Sequence, residues 1–157
     1  MKLYGKEEVE ATVVPKQAAA QIVSFTKEDE ERVRENVTAN YVKTALDNPD
    51  VTFYFYLPPY SIYYWQDLLK TGQLEAQLKA EELAVSLMTD APNIHVFGYA
   101  DRIDITGNLD NYMDILHYGD WINEEIMNMI YKGEGELTKG NYRAYFQRVR
   151  ELYSKSE

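Results

Sequence analysis

The chain has no cysteine, which excludes disulfides, zinc–thiolate sites, iron–sulfur clusters and thiol nucleophiles. Cationic side chains are scarce as well: 16 Lys+Arg stand against 26 Asp+Glu, for a net charge of -10. That balance argues against a nucleic-acid partner, because phosphate binding rests on clustered Lys and Arg, and none cluster here. It also disfavours docking on an anionic membrane surface. No apolar run approaches the ~20 residues of a membrane-spanning helix. The start, Met1-Lys2-Leu3-Tyr4-Gly5-Lys6, lacks the apolar stretch of a signal peptide. What the chain does have is tyrosine, 14 of 157 residues, a side chain suited both to sugar-facing clefts and to half-buried sheets. An apolar fraction of 45% is enough to build a core, and the length fits one domain or half of a larger layered fold.

Residues 1–25 read as an N-terminal arm or linker, with a short strand as one reading of Val9–Val14. Residues 26–157 carry the sharper patterns. Thr26 and Asp29 form a capping-box pair ahead of an acidic first turn, and Val33, Val37, Tyr41 and Ala45 recur every fourth residue. The spacing predicts one amphipathic helix that ends at Asn48-Pro49-Asp50. Val51–Leu57 is β-branched and aromatic throughout and lies between prolines, so it is a strand. Ser61 is placed to cap the next helix, which runs over Ile62–Lys70 and Leu74–Met88 with a break near Thr71-Gly72. Ile94–Tyr99 is a second strand, and the helical crossover between the two makes them parallel. Two further helices begin near Asp120 and Asn141, joined by the glycine-rich linker Gly133–Gly140. The expected fold is α/β, a partial three-layer (flavodoxin-like) arrangement with a few mainly parallel strands flanked by helices. Two strands with this many helices look like the second half of an open sheet.

Ligands in such sheets bind beyond the carboxyl ends of the strands. The segments found there are Pro58–Tyr64 and Ala100–Tyr118. Asp114 and His117 lie three apart, so the carboxylate can reach one ring nitrogen and leave the other free as a base. The alternative for a single histidine in a polar loop is a structural role. His95, between Ile94 and Val96, reads as a packed or edge histidine. The series Asp101, Asp104, Asp110 and Asp114 lacks the glycine and terminal glutamate of an EF-hand loop, so no metal site is expected, and no cofactor is implied.

Phe53-Tyr-Phe-Tyr-Leu-Pro-Pro-Tyr-Ser-Ile-Tyr-Tyr-Trp65, followed by Asn108-Leu-Asp-Asn-Tyr-Met-Asp-Ile-Leu-His-Tyr-Gly119, resembles the C-terminal half of SGNH/GDSL-type hydrolases, the bacterial envelope-associated members in particular. The likeness covers roughly residues 48–130. It implies that Asp114 and His117 are the family's Asp-x-x-His pair, acting in a serine esterase or acyl hydrolase. It implies further that Tyr60, Ser61, Tyr64 and Trp65 line a cleft for an acylated carbohydrate or small ester. The family's nucleophilic serine, in a Gly-Asp-Ser block, precedes the matched region. Ser24, Ser61, Ser86, Ser154 and Ser156 stand in no such setting. The expectation is therefore a half-enzyme, inactive or nearly so alone: a truncated or shortened product first, a chain that pairs with a missing N-terminal half second, with self-association expected in either case. The competing expectation is a non-catalytic α/β interaction domain that self-associates through an open sheet edge.

Overall fold

The computed structural model describes residues 3–155. It is an α/β chain, 55% helical, whose helices flank a mixed sheet of three strands. β1 (Phe53–Leu57) and β2 (Ile94–Gly98) pair in parallel, with Phe53 opposite Ile94 and Leu57 opposite Gly98. The crossover between them is made of α4 (Ile62–Lys70) and α5 (Leu74–Met88), broken at Gly72 as the sequence suggested. Gly72 has φ 69°, and a Cβ there would lie 2.9 Å from the Gln21 carbonyl oxygen, so the break also admits the N-terminal segment. The third strand, β3 (Glu136–Leu137), lies in the glycine-rich linker and runs antiparallel to β2, giving the order β1-β2-β3.

The N-terminal region differs from its expected form. Lys6–Thr12 is a helix, α1, where Val9–Val14 read as a strand. Its acidic first turn favours the helix, and Val9 is completely buried, so one helical face is used for packing. The extended residues after α1 are bonded along α4: Ala19 N–H donates to the Lys70 carbonyl at 2.9 Å and Val23 N–H to the Gly72 carbonyl at 2.8 Å. α2 (Lys27–Val37) opens on the expected capping box, with both Thr26–Asp29 bonds formed. A π-helical turn over Thr38–Val42 then separates it from α3 (Lys43–Asp47). The extra residue in that turn rotates the apolar stripe: Val37 and Ala45 stay buried while Tyr41 turns outward.

Alternation along the strands feeds two apolar clusters. Phe53, Phe55, Leu57, Ile94 and Val96 join the cluster under α5 and α8 (Tyr142–Tyr153), where Leu78, Phe146 and Val149 are fully buried. Tyr56, Phe97 and Tyr99 join a second cluster with Ile122, Ile126 and Met129 of α7 (Asp120–Lys132). Trp121 is 42% exposed at the start of α7. Just past β2 the buried chain is tied to α8: Ala100 N–H donates to the Tyr145 hydroxyl at 3.0 Å, and the Tyr153 hydroxyl donates to the Ala100 carbonyl at 2.8 Å. Between β2 and α7 the chain forms α6 (Ile103–Thr106) and a 3-10 turn over Leu109–Asn111.

Candidate functional site

Asp114 and His117 sit in a tight loop between the 3-10 turn and α7. Tyr112 and Tyr118 form an antiparallel bridge at its base, and Met113 N–H donates to the His117 carbonyl at 2.9 Å. Asp114 organises the turn with its own side chain, a habit of Asp in short turns. Its Oδ1 accepts from the backbone N–H of Leu116 at 2.7 Å and of His117 at 2.8 Å. That leaves Oδ2 facing His117 Nδ1 at 2.6 Å. Burial acts to raise the Asp114 pKa, but the two N–H donors and the imidazole outweigh it and hold the carboxyl below its ordinary value. An ionised carboxylate only accepts, so Nδ1 carries the hydrogen, and whenever the ring is neutral the lone pair is on Nε2. The imidazole is 71% exposed and Asp114 28%, so the ring faces solvent while the carboxylate is more sheltered.

The loop is fastened at the carboxyl end of β1. The Ile115 carbonyl accepts both the Ser61 hydroxyl at 2.8 Å and the Ser61 N–H at 3.3 Å. Tyr112, fully buried, donates its hydroxyl to the Pro59 carbonyl. Tyr118, bridged to Tyr112, has its phenol pushed far above the usual range, first by burial and then by the neighbouring Tyr56. These contacts hold the Asp–His pair beyond the carboxyl end of β1.

The other expected site residues divide. Ser61 occupies the N-cap position of α4 but makes no side-chain cap bond; its hydroxyl is buried and committed to Ile115 instead. Its place is to fasten the loop, not to meet a ligand. Ser61→Ala should lower stability by about 1 kcal/mol in urea denaturation, since Ile115 keeps the backbone donor and loses the hydroxyl. No change would contradict the anchoring role. Trp65 departs furthest from a cleft-lining position: it is 1% exposed and stacks on Tyr153 at 5.0 Å. The stripe of α4 that carries it is apolar, and that decides its direction. Tyr60 and Tyr64 are half-buried with rings 4.6 Å apart, and Tyr64 meets Trp65 edge-on, so these aromatic residues form a line leading from the loop into the core.

A second carboxylate–imidazole pair was hidden in the sequence because its partner lies on the unforeseen strand. His95 Nδ1 lies 2.6 Å from Glu136 Oε1, and the ring stacks on Tyr54. His95 thereby ties β3 to β2 on the sheet surface. The acidic residues after β2 are separately engaged, Asp101 by Arg148 at 3.0 Å and Asp104 by Arg102 at 2.6 Å. Among the described residues no group of three or more His, Asp or Glu comes together to hold a metal ion, and no helix is long and apolar enough to cross a membrane. Comparison with protein-family models, with curated proteins and with solved structures finds no match to this chain.

Proposed function

We propose that this chain is the C-terminal part of an SGNH-like serine ester hydrolase and supplies its proton-handling pair. The observation that carries the reading is the 2.6 Å contact between Asp114 Oδ2 and His117 Nδ1, with the imidazole open to solvent beyond β1. In this reading His117 Nε2 takes the proton of an attacking serine hydroxyl as its oxygen bonds to the ester carbonyl carbon. The resulting imidazolium gives that proton to the departing alkoxide, and a water molecule repeats the sequence to release the acid. Asp114 remains ionised throughout; it fixes the ring and stabilises the imidazolium. Ser61 is not the attacking group, because its hydroxyl is buried against Ile115. The serine comes from the block that precedes the matched region in the family. The sheet then belongs to a three-layer, flavodoxin-like arrangement in the completed enzyme. Tyr60 and Tyr64 are the aromatic surface offered to an ester or acylated sugar.

The chain alone retains only what an oriented imidazole contributes, and that remainder is measurable. Slow acyl transfer from p-nitrophenyl acetate to water should fall at least tenfold in His117→Ala, about 1.4 kcal/mol of barrier, and stay unchanged in His95→Ala. Equal rates for the wild type and His117→Ala would overturn the reading. A second reading, a non-catalytic domain that self-associates through β1, draws on one observation. Among the described strands β1 pairs on one side only, and Tyr54 on it is 57% exposed. Sedimentation equilibrium separates the two: a Tyr54→Lys-sensitive dimer with no His117-dependent chemistry supports the second.

A further inference from the structure

A cleft of about 730 Å³ lies between α4, the end of α8 and the extended segment after α1, within the size range of small-ligand sites. Ile62, Leu69, Leu152 and Tyr153 give it apolar walls, while Lys70 and Lys155 stand at its margin. Neither lysine makes an ion pair with a described residue. In a chain of net charge -10, two cations beside one apolar cleft form a local reversal of sign. Nearby Lys16 is already neutralised by Asp67, an ion pair that holds the extended segment over the cleft. Leu152 is 41% exposed although its neighbours on the same face of α8 are buried, so an apolar surface is left open here. From Ile62 to Lys70 the α4 axis advances about 12 Å, room for an alkyl chain lying along the helix with its head at Lys70. Beneath the wall, Trp65 stacks on Tyr153 with its ring N–H unpaired among the described residues.

We infer that this cleft binds a free medium-chain carboxylate, tail against Ile62, Leu69 and Leu152 and head between Lys70 and Lys155. The chemistry is that of an anionic amphiphile, and the free acid is preferred over a lipid headgroup because the acidic body of the protein is repelled by anionic bilayers. The site does not use the Asp114–His117 pair and goes beyond the proposed hydrolase reading. Trp121→Phe leaves Trp65 as the sole tryptophan and a reporter beside the cleft. Decanoate, titrated below its micelle concentration, should give a saturable change in Trp65 emission. Lys70→Glu with Lys155→Glu should weaken that binding at least tenfold, and decyltrimethylammonium should give no saturable signal. Both lysines are exposed, so circular dichroism of the double variant should match its parent; if it does not, Lys70→Gln with Lys155→Gln should show a weaker loss in the same direction. No saturable response to decanoate, equal binding by the lysine variants, or binding to phosphatidylglycerol vesicles that decanoate does not compete would each overturn the inference. Because the readout is binding, loss of His117-dependent ester chemistry would leave it standing.

Discussion

Gly98→Ala should lower the unfolding free energy by about 3 kcal/mol, the sum of an overpacking cost and a lost hydrogen bond. A Cβ at this position in β2 would fall 2.5 Å from Cζ of Tyr145 and 2.8 Å from its hydroxyl oxygen. The ring has no free direction. It is 3% exposed and stands edge-on to Phe146 at 5.1 Å, and its hydroxyl oxygen accepts the Ala100 N–H at 3.0 Å. Swinging it aside strands a buried backbone donor at the carboxyl end of the sheet; keeping it forces β2 away from α8. Thermal or urea denaturation reads the loss, and a change under about 1 kcal/mol would mean that Tyr145 is held less firmly than its contacts require. Combining Gly98→Ala with Tyr145→Leu should cost less than the two changes added, because they share one contact.

Glu81→Gln should stabilise the protein by about 2 kcal/mol above neutral pH. Glu81 lies on α5, and burial pushes its carboxyl up to about 7, while the Gln77 side-chain amide, donating at 2.6 Å, works the other way. The phenols of Tyr60, Tyr64 and Tyr145 have their pKa values raised first by burial and in smaller part by the charge of the same carboxyl. Since the folded value lies above the ordinary 4.5, the folded state binds this proton more tightly than the unfolded chain does. The contribution is therefore greatest below about 4.5 and is lost as pH rises through about 7. The full shift corresponds to about 3 kcal/mol, and the smaller figure allows for the part of the side chain that reaches solvent. Stability of wild type and Glu81→Gln should converge near pH 4 and separate above pH 7; parallel curves would contradict the burial of this carboxyl.

What the sequence disclosed depended on how local the cause was. β1 and β2 were legible because β-branched and aromatic runs bounded by proline leave no helical alternative, and the helical crossover then dictated parallel pairing. The Thr26–Asp29 box and the Asp114–His117 contact were legible for the same reason, both being matters of three-residue spacing. β3 was not: two residues in a glycine-rich linker carry no period, and only pairing with β2 makes them a strand. With β3 went the His95–Glu136 contact. α1 was misread because Val9, Val13 and Val14 favour a strand locally, whereas burial of Val9 decides the matter. The π turn at Thr38–Val42 moved Tyr41 off the stripe that a strict four-residue repeat assigned to it. Ser61 and Trp65 were expected to line a cleft but are buried: the Ser61 hydroxyl finds its acceptor 54 residues away at Ile115, a contact no local pattern announces, while Trp65 follows the apolar stripe of α4 inward onto Tyr153.

In the neutral form of His117 the Asp114 carboxylate holds the hydrogen on Nδ1 and leaves Nε2 bare. Two-bond 1H–15N correlation spectra of uniformly labelled protein distinguish the ring nitrogens directly. The structure predicts the Nδ1–H form for His117 at alkaline pH, with its Nδ1 proton protected from exchange, and a return to the Nε2–H form preferred by free histidine in Asp114→Asn. A wild-type His117 already in the Nε2–H form, or one indifferent to Asp114→Asn, would contradict the dyad.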